Sequence, residues 1–409
     1  MCPVVRSLEP VAEGLARTPA LVLGGPVHIA LGVIRALAGD GIPQFIHGTG
    51  ASYSYVSYCR WHRRLPGQIG NDPTPESLAE FLEGLPFERM VLIPCSDAWV
   101  AAVARLQPSL AARFLASVGP LESVDICLDK GRFVEALAKL ALPHPRTICI
   151  KAPDDLRTLW DSTLRDPFLK PRDSHASQAL YGEKAFLIRT RDEAITRVRD
   201  AARAGLEYIL QEYVPGPASA HYSIDGFVDR AGTVCALFAR RRVRARAEPF
   251  VNASCMVSIP LAEAKAMVHT LDRLLPALRY RGIFNAQFKY DERDGLFKLL
   301  EVNPRVWGGV SLPVSCGVNV IKMAYQDALG LPVERAADYP VGRYWVYASQ
   351  DRAVSWQLFR EGRLTVGDWI RTRAGAVQAL FRWDDPLPAI VDFLHTNWRG
   401  IRRRLRATR

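Results

Sequence analysis

The chain has 409 residues, 49% of them apolar, which is enough for two or three domains with proper cores. Its formal charge of +11 comes from arginines spread along the whole length, so it bears on solubility and steering and marks out no nucleic-acid module. The eight cysteines form no C-x-x-C pair and follow no signal peptide, so they read as reduced thiols of a cytoplasmic protein.

Residues 20–25 read as a buried strand entering a glycine turn, followed by a helix to about residue 37 and a strand at 43–47. The segment 20–39 is apolar, but His28, Arg35 and its glycines interrupt it, so it is not a membrane span. A further strand at 90–94 leads through Ser96 and Asp97, which suit a helix N-cap, into another helix. This alternation predicts a doubly wound, parallel-sheet α/β domain over residues 1–123. Gly24, Gly25 and Gly32 lack the G-x-G-x-x-G spacing of a dinucleotide fingerprint.

Asp129, Lys130 and Gly131 open a helix, and residues 143–147 lead into a strand. The strand at 167–171 ends on Lys170, a cation that either reaches the phosphates of a bound nucleotide or simply closes a strand at the surface. Residues 208–214 form an apolar strand stopped by Pro215 and Gly216. After a strand pair around 222–238 comes a basic run. As a strand it places Arg242, Arg244 and Arg246 on one side. That is either an edge defended by charge or a polyanion site, and it lacks the aromatics of a base-stacking groove.

The most specific signal lies at 284–305. Phe284, Ala286, Phe288 and Tyr290 alternate with Asn285, Gln287, Lys289 and Asp291, as a half-buried strand requires. Arg293, Asp294 and Gly295 suit a turn with Gly295 in the left-handed position. A hairpin centred on Asp294 sets Gln287 opposite Glu301, with Asn303 on the same face. Three oxygen donors thus converge in a pattern suited to magnesium. No His or Cys lies near enough in sequence to complete a zinc set. Arg305 follows directly, and its guanidinium can hold a carboxylate or a transferred phosphoryl group. Residues 310–330 read as a helix. Beyond them the chain is rich in tryptophan, and residues 386–398 read as a packed amphipathic helix followed by a solvated basic tail. Contact of that tail with anionic lipid is the less favoured alternative.

Gln287, Glu301 and Asn303, in the run Glu-Val-Asn-Pro-Arg, resemble the metal signature of the ATP-grasp superfamily. The Gln-Glu-Asn version is similar to the carbamoyl phosphate synthetase branch, and the text through Trp307, Gly308 and Gly309 is similar to carboxylate-amine ligases of the D-aspartate ligase type. The resemblance implies an ATP-grasp fold behind the parallel-sheet domain, with a lysine-bearing small subdomain at 124–215, a metal-bearing large subdomain at 216–334 and a C-terminal extension at 335–409. It further implies that Lys130 and Lys170 bind nucleotide, that the strand carrying Gln211, Glu212, Tyr213 and Val214 holds adenine, and that His221 meets the ribose. Arg242 and Arg244 would face the transferred phosphate, and Ser96 and Asp97 would touch substrate. The family's glycine-rich loop falls at 172–182. Here it has a single glycine, so Ser174 and Ser177 stand as substitute phosphate donors, with Lys184 beside them. The implied activity is ATP- and Mg²⁺-dependent joining of a carboxylate to an amine, with Mn²⁺ as a possible substitute and no nucleic-acid partner. A bicarbonate-using carboxylase, a carbamoyl-phosphate-type enzyme and a non-catalytic ATP-binding regulator are the alternatives.

Overall fold

The structure is a computed structural model and describes residues 17–47, 59–61, 63–65, 69–70, 72–159, 164–172, 185–188, 190–245, 252–336 and 338–395. Ser174, Ser177, Lys184 and Arg246, most of the loop at 172–182 and the tail after residue 395 lie outside them.

Three sheets make up the framework. In the first, β1 (Ala20–Leu23), β2 (Gln44–His47), β3 (Arg63–Arg64), β4 (Met90–Pro94) and β5 (Phe114–Leu115) run parallel in the order β3-β2-β1-β4-β5. Helix α1 (Val27–Ala38) follows β1, and α2 (Asp97–Ala104) follows β4. This is the expected doubly wound domain. Its strand order reverses between β1 and β4, so their carboxyl ends, at Gly24 and Ser96, flank the crevice where such sheets bind ligands.

The second sheet has four short strands, β6 (Thr147–Cys149), β7 (Pro167–Pro171), β8 (Phe186–Leu187) and β9 (Tyr208–Glu212), in the order β6-β9-β7-β8. It has a core of its own, built from Leu156, Leu169, Phe186, Ile195, Val198 and Leu210 among others. The third sheet has seven strands in the order β14-β13-β10-β11-β12-β15-β16. These are β10 (His221–Val228), β11 (Val234–Ala245), β12 (Ala253–Ser258), β13 (Gly282–Asp291), β14 (Leu296–Asn303), β15 (Tyr344–Val346) and β16 (Val377–Gln378).

Packing groups these residues differently from the motif-based limits at 123, 215 and 334. Helix α3 (Lys130–Lys139) buries Phe133 and Leu137 with Ile224, Met267 and Phe288 of the large sheet's layer, and not with the small sheet. Helix α1 shares a core with Phe227, Phe238 and Trp307, so the first domain is joined to the large sheet by continuous apolar contact. Strands β15 and β16 belong to the extension by sequence, yet they extend the large sheet beyond β12. The predicted helix at 310–330 is two helices, Ser311–Ser315 and Val320–Ala328, parted where Gly317 takes φ +90°.

Candidate functional site

The β13–β14 hairpin pairs Gln287 with Glu301 and Asn285 with Asn303, the register read from the sequence. It is reached by a different route. Asp291 pairs with Leu296 at the turn, Gly295 there has φ +72°, and a bulge near Gln287 and Phe288 then shifts the register by one residue. The alternation buries Phe284, Ala286 and Phe288 and turns Asn285, Gln287 and Lys289 to the other face.

A chain of hydrogen bonds behind that face fixes which way the amides point. Asp225 is fully buried and accepts from Arg240 Nε at 2.6 Å and from Asn285 Nδ2 at 2.6 Å. A carboxylate held by an arginine only accepts, so Asn285 must present its amide nitrogen there and its Oδ1 on the other side. That oxygen accepts from Asn303 Nδ2 at 3.1 Å and Gln287 Nε2 at 3.4 Å. With their nitrogens turned back, Gln287 and Asn303 direct their oxygens at their remaining neighbours. Gln287 Oε1 accepts from Arg242 at 3.2 Å, and Asn303 Oδ1 accepts from Arg305 at 3.3 Å.

These residues line a cavity of about 570 Å³ between the three sheets. Lys130, Lys170, Arg242, Lys289, Arg305 and Arg363 supply its cations, and Asp97, Glu212 and Glu301 its acids. Two of the acids are already paired: Asp97 Oδ1 accepts from Arg305 Nε at 2.6 Å, and Glu212 lies 2.5 Å from Arg293. Glu301 stands 3.8 Å from Lys170 Nζ. Burial would raise the Glu301 carboxyl, but Lys170 and Lys130 outweigh it and hold its pKa below the ordinary value. The surplus of positive charge suits a polyphosphate. Gln287, Glu301 and Asn303 offer three oxygens with a single negative charge among these cations. That set fits Mg²⁺ arriving with phosphates and not a bare divalent ion, because the cations would oppose an ion without its own anions.

Each cation has an identifiable support. Asp129 caps α3 by accepting from the Gly131 and Arg132 amides at 2.8 and 3.0 Å, and it also receives the Arg172 guanidinium at 2.8 Å. Arg172 sits against Gly131, where a Cβ would come within 2.8 Å of its Nε, so a side chain there would push the guanidinium out of this position beside Lys130. Lys289 lies 4.6 Å from the Tyr213 ring centroid, and burial, with Arg242 nearby, lowers its pKa to about 8. Burial likewise pulls the Arg242 guanidinium down to about 10. His221 is kept neutral, well below the usual imidazole range, by burial and by Arg242 and Lys289.

The strand carrying Gln211 to Val214 edges the same cavity. Gln211 is occupied in a cross-strand bond to Thr147 at 2.8 Å. The amides of Glu212 and Tyr213 donate to Arg146 and Arg165 carbonyls. Among the described residues this leaves the Val214 amide as the donor, and Pro167, paired with Glu212, has no N–H to occupy the Glu212 carbonyl.

Arg244 is where the sequence reading fails. A bulge between Arg242 and Arg244 breaks the alternation of β11, and Arg244 is buried away from the cavity. Its Nε and NH2 donate to Asp351 at 2.8 and 3.0 Å, and its NH1 donates to Thr372 at 2.7 Å. Ser96 is the expected N-cap, accepting from Trp99 at 3.4 Å, while Asp97 reaches the cavity. Lys289, and the contributions of Val354, Gln357, Leu358 and Arg363 from helix α4 (Ala348–Arg360) and the turn after it, were not foreseen. The period-two pattern had placed Lys289 on the metal face, which was the available signal.

This combination of a parallel-sheet domain, a small four-stranded sheet and a large antiparallel sheet closing on a cationic cavity is the ATP-grasp fold. Residues 206–347 match the family described as "ATP-grasp in the biosynthetic pathway with Ter operon". A D-aspartate ligase from Enterococcus faecium (strain Aus0004) is 24% identical over 249 residues, 59% of each chain, so this chain spans well under two thirds of that relative's length. Among solved structures, the L-amino acid ligase from Bacillus licheniformis superposes with a TM-score of 0.57 at 16% identity, covering 80% of this chain and 78% of that one. The biotin carboxylase domain of the Hydrogenobacter thermophilus 2-oxoglutarate carboxylase, solved with MgADP and bicarbonate, gives 0.62 at 15% identity, covering 80% and 73%.

Proposed function

We propose that the protein is an ADP-forming ligase that activates a carboxylate as an acyl phosphate and joins it to an amine. The observation that carries this reading is the meeting of Gln287, Glu301 and Asn303 with Lys130, Lys170, Arg242, Lys289 and Arg305 in one cavity. ATP would lie with adenine against Phe168, Ile209 and Val302, which line the cavity, its amino group toward the Glu212 carbonyl and N1 toward the Val214 amide. His221 would meet the ribose, and Lys130 and Lys170 would hold the phosphates. Gln287, Glu301 and Asn303 would hold Mg²⁺, which neutralises charge on the phosphate oxygens when bound.

A carboxylate is a poor acylating agent because its leaving group is oxide. One of its oxygens attacks the γ-phosphorus, the bond to the bridging oxygen breaks, and ADP leaves with that electron pair. The amine nitrogen then attacks the acyl carbon, the carbon–oxygen bond to phosphate breaks, and inorganic phosphate leaves while the nitrogen gives up its proton. Arg305 and Arg242 contribute by standing fixed beside the charge that develops on the transferred group, Arg305 braced by Asp97 and Arg242 by Gln287.

The test is ADP release with ATP and Mg²⁺ across amino acids, small dicarboxylates and bicarbonate, with Glu301→Ala alongside. Turnover that needs both an acid and an amine, and is lost in the variant with its melting temperature retained, is the expected result. Turnover with bicarbonate alone would replace the ligase with a carboxylating or carbamoyl-phosphate reaction, and unchanged turnover in Glu301→Ala would overturn the metal assignment.

A further inference from the structure

One wall of the cavity belongs to none of the three sheets. Helix α4 is anchored on the large sheet by Asp351, which takes Arg244 from β11 at 2.8 Å and the Ser254 hydroxyl from β12 at 3.0 Å. Val354, Gln357 and Leu358, spaced at i, i+3 and i+4, share one face of the helix, and all three line the cavity. Ala245 lines it too, three residues beyond Arg242 and so on the order of 10 Å along β11 from the arginine that donates to Gln287.

The turn after α4 adds Arg363 to this wall. Gly362 takes φ +66°, and the Arg363 amide donates back to the Leu358 carbonyl at 2.9 Å, an arrangement that ends a helix in a fixed direction. Glu361 then uses both carboxylate oxygens, accepting from Gln357 Nε2 at 2.8 Å and from Arg363 NH1 at 2.9 Å. The Arg363 side chain is 60% exposed, and so open an ion pair contributes little to stability, so the effect of the clamp is to orient the guanidinium. Only NH1 is engaged. Among the described residues no acceptor meets Nε or NH2, and the guanidinium keeps an edge that can hold a carboxylate through two parallel hydrogen bonds.

We propose that Arg363 binds a substrate carboxylate other than the one that is activated, with Val354 and Leu358 covering the apolar stem that joins it to the reacting group. The substrate class is then an amine that also bears a carboxylate, or a dicarboxylic acid. This inference rests on the ligase reading for the distinction between the two carboxylates.

The experiment is calorimetric titration of the full chain, loaded with Mg²⁺ and a non-hydrolysable ATP analogue, with amino acids, small dicarboxylates and their amides, each carboxylate being replaced in turn by a carboxamide. The parent, Arg363→Met and Arg363→Lys are compared. The parent should prefer at least one carboxylate over its amide. Arg363→Met should weaken that ligand by roughly ten- to a hundredfold, the size of a charge-assisted contact, while the amide binds both proteins alike. Arg363→Lys keeps the charge without the fork and should fall between them. An unchanged melting temperature verifies the fold, and steady-state ADP release shows whether the KM of the amine or of the acid moves, which assigns the carboxylate to one of them. Unchanged affinities in Arg363→Met, an equal loss for carboxylate and amide, or no preference in the parent would overturn the proposal. So would an equal loss for monocarboxylic acids without an amino group, since that would put Arg363 on the reacting carboxylate. Turnover on bicarbonate alone would remove the ligase reading by itself, whereas the titrations decide the Arg363 contact without turnover.

Discussion

Lys289 has an unusual position for an ammonium group. It is 4% exposed, and its nearest aids are the face of Tyr213 and the carboxylate of Asp291, while Arg242 opposes it. Lowering its pKa from 10.5 to about 8 corresponds to about 3 kcal/mol of free energy spent holding the charged form, at about 1.36 kcal/mol per pH unit. Below pH 8 both folded and unfolded chains carry the proton and the penalty is present in full. Between about 8 and 10.5 the folded chain binds fewer protons than the unfolded one, so stability rises with pH, and the gain is complete above the unfolded value. Lys289→Met removes the charge and keeps the stem. At neutral pH it should be more stable than the parent by roughly 1–3 kcal/mol, the penalty less the lost contact with Tyr213. The same variant should bind ATP more weakly by roughly ten- to a hundredfold, since it removes one cation from the cavity and a charge-assisted hydrogen bond to the nucleotide contributes about 1.5–3 kcal/mol. Urea titrations of both proteins from pH 7 to pH 11, with calorimetric ATP titrations, measure both effects. A variant no more stable at neutral pH, with a pH profile parallel to the parent's, would refute the reasoning.

Asn285→Leu should release the amides of Gln287 and Asn303 to rotate, raising the Mg²⁺ concentration needed for half-maximal ADP release by roughly ten- to a hundredfold. Metal-free nucleotide binding, followed by fluorescence, should hardly move. Arg244→Met should destabilise by roughly 1–3 kcal/mol in urea, because Asp351 keeps its burial and loses its bidentate partner, retaining Arg373 at 3.0 Å and the Ser254 and Ser355 hydroxyls. A loss below about 1 kcal/mol would show the pair to be dispensable.

Much of the hairpin was legible because two independent local signals, period-two burial and a glycine turn, agree on it. Even so, the correct facing of Gln287 and Glu301 results from two departures that cancel, a turn displaced by one residue and a bulge that restores the count. Arg244 shows the opposite outcome. A single bulge in β11 went unseen, and strict alternation put the residue on the wrong side. The Asp97–Arg305 contact joins residues 208 apart, and no local pattern carries such a distance. Lys289 was placed on the right face, but whether a polar strand position is wet or enclosed depends on what folds over it, and that is not written in the strand.

The position of β15 in the large sheet bears on how the protein is made. Arg244 meets Asp351 only after another 107 residues have been added, and β12 has no neighbour on its outer edge until β15 arrives. A chain emerging from the ribosome therefore carries a buried-to-be charge and an open strand edge through much of its synthesis, both of them hazards for misassociation. The segment from β15 onward, made after the rest of the sheet, closes the edge, neutralises the arginine and supplies Val354, Gln357 and Leu358 to the cavity wall. A shortened product would thus lack a finished site as well as a finished fold, so the cavity is complete only in a chain translated through to its C-terminal helices.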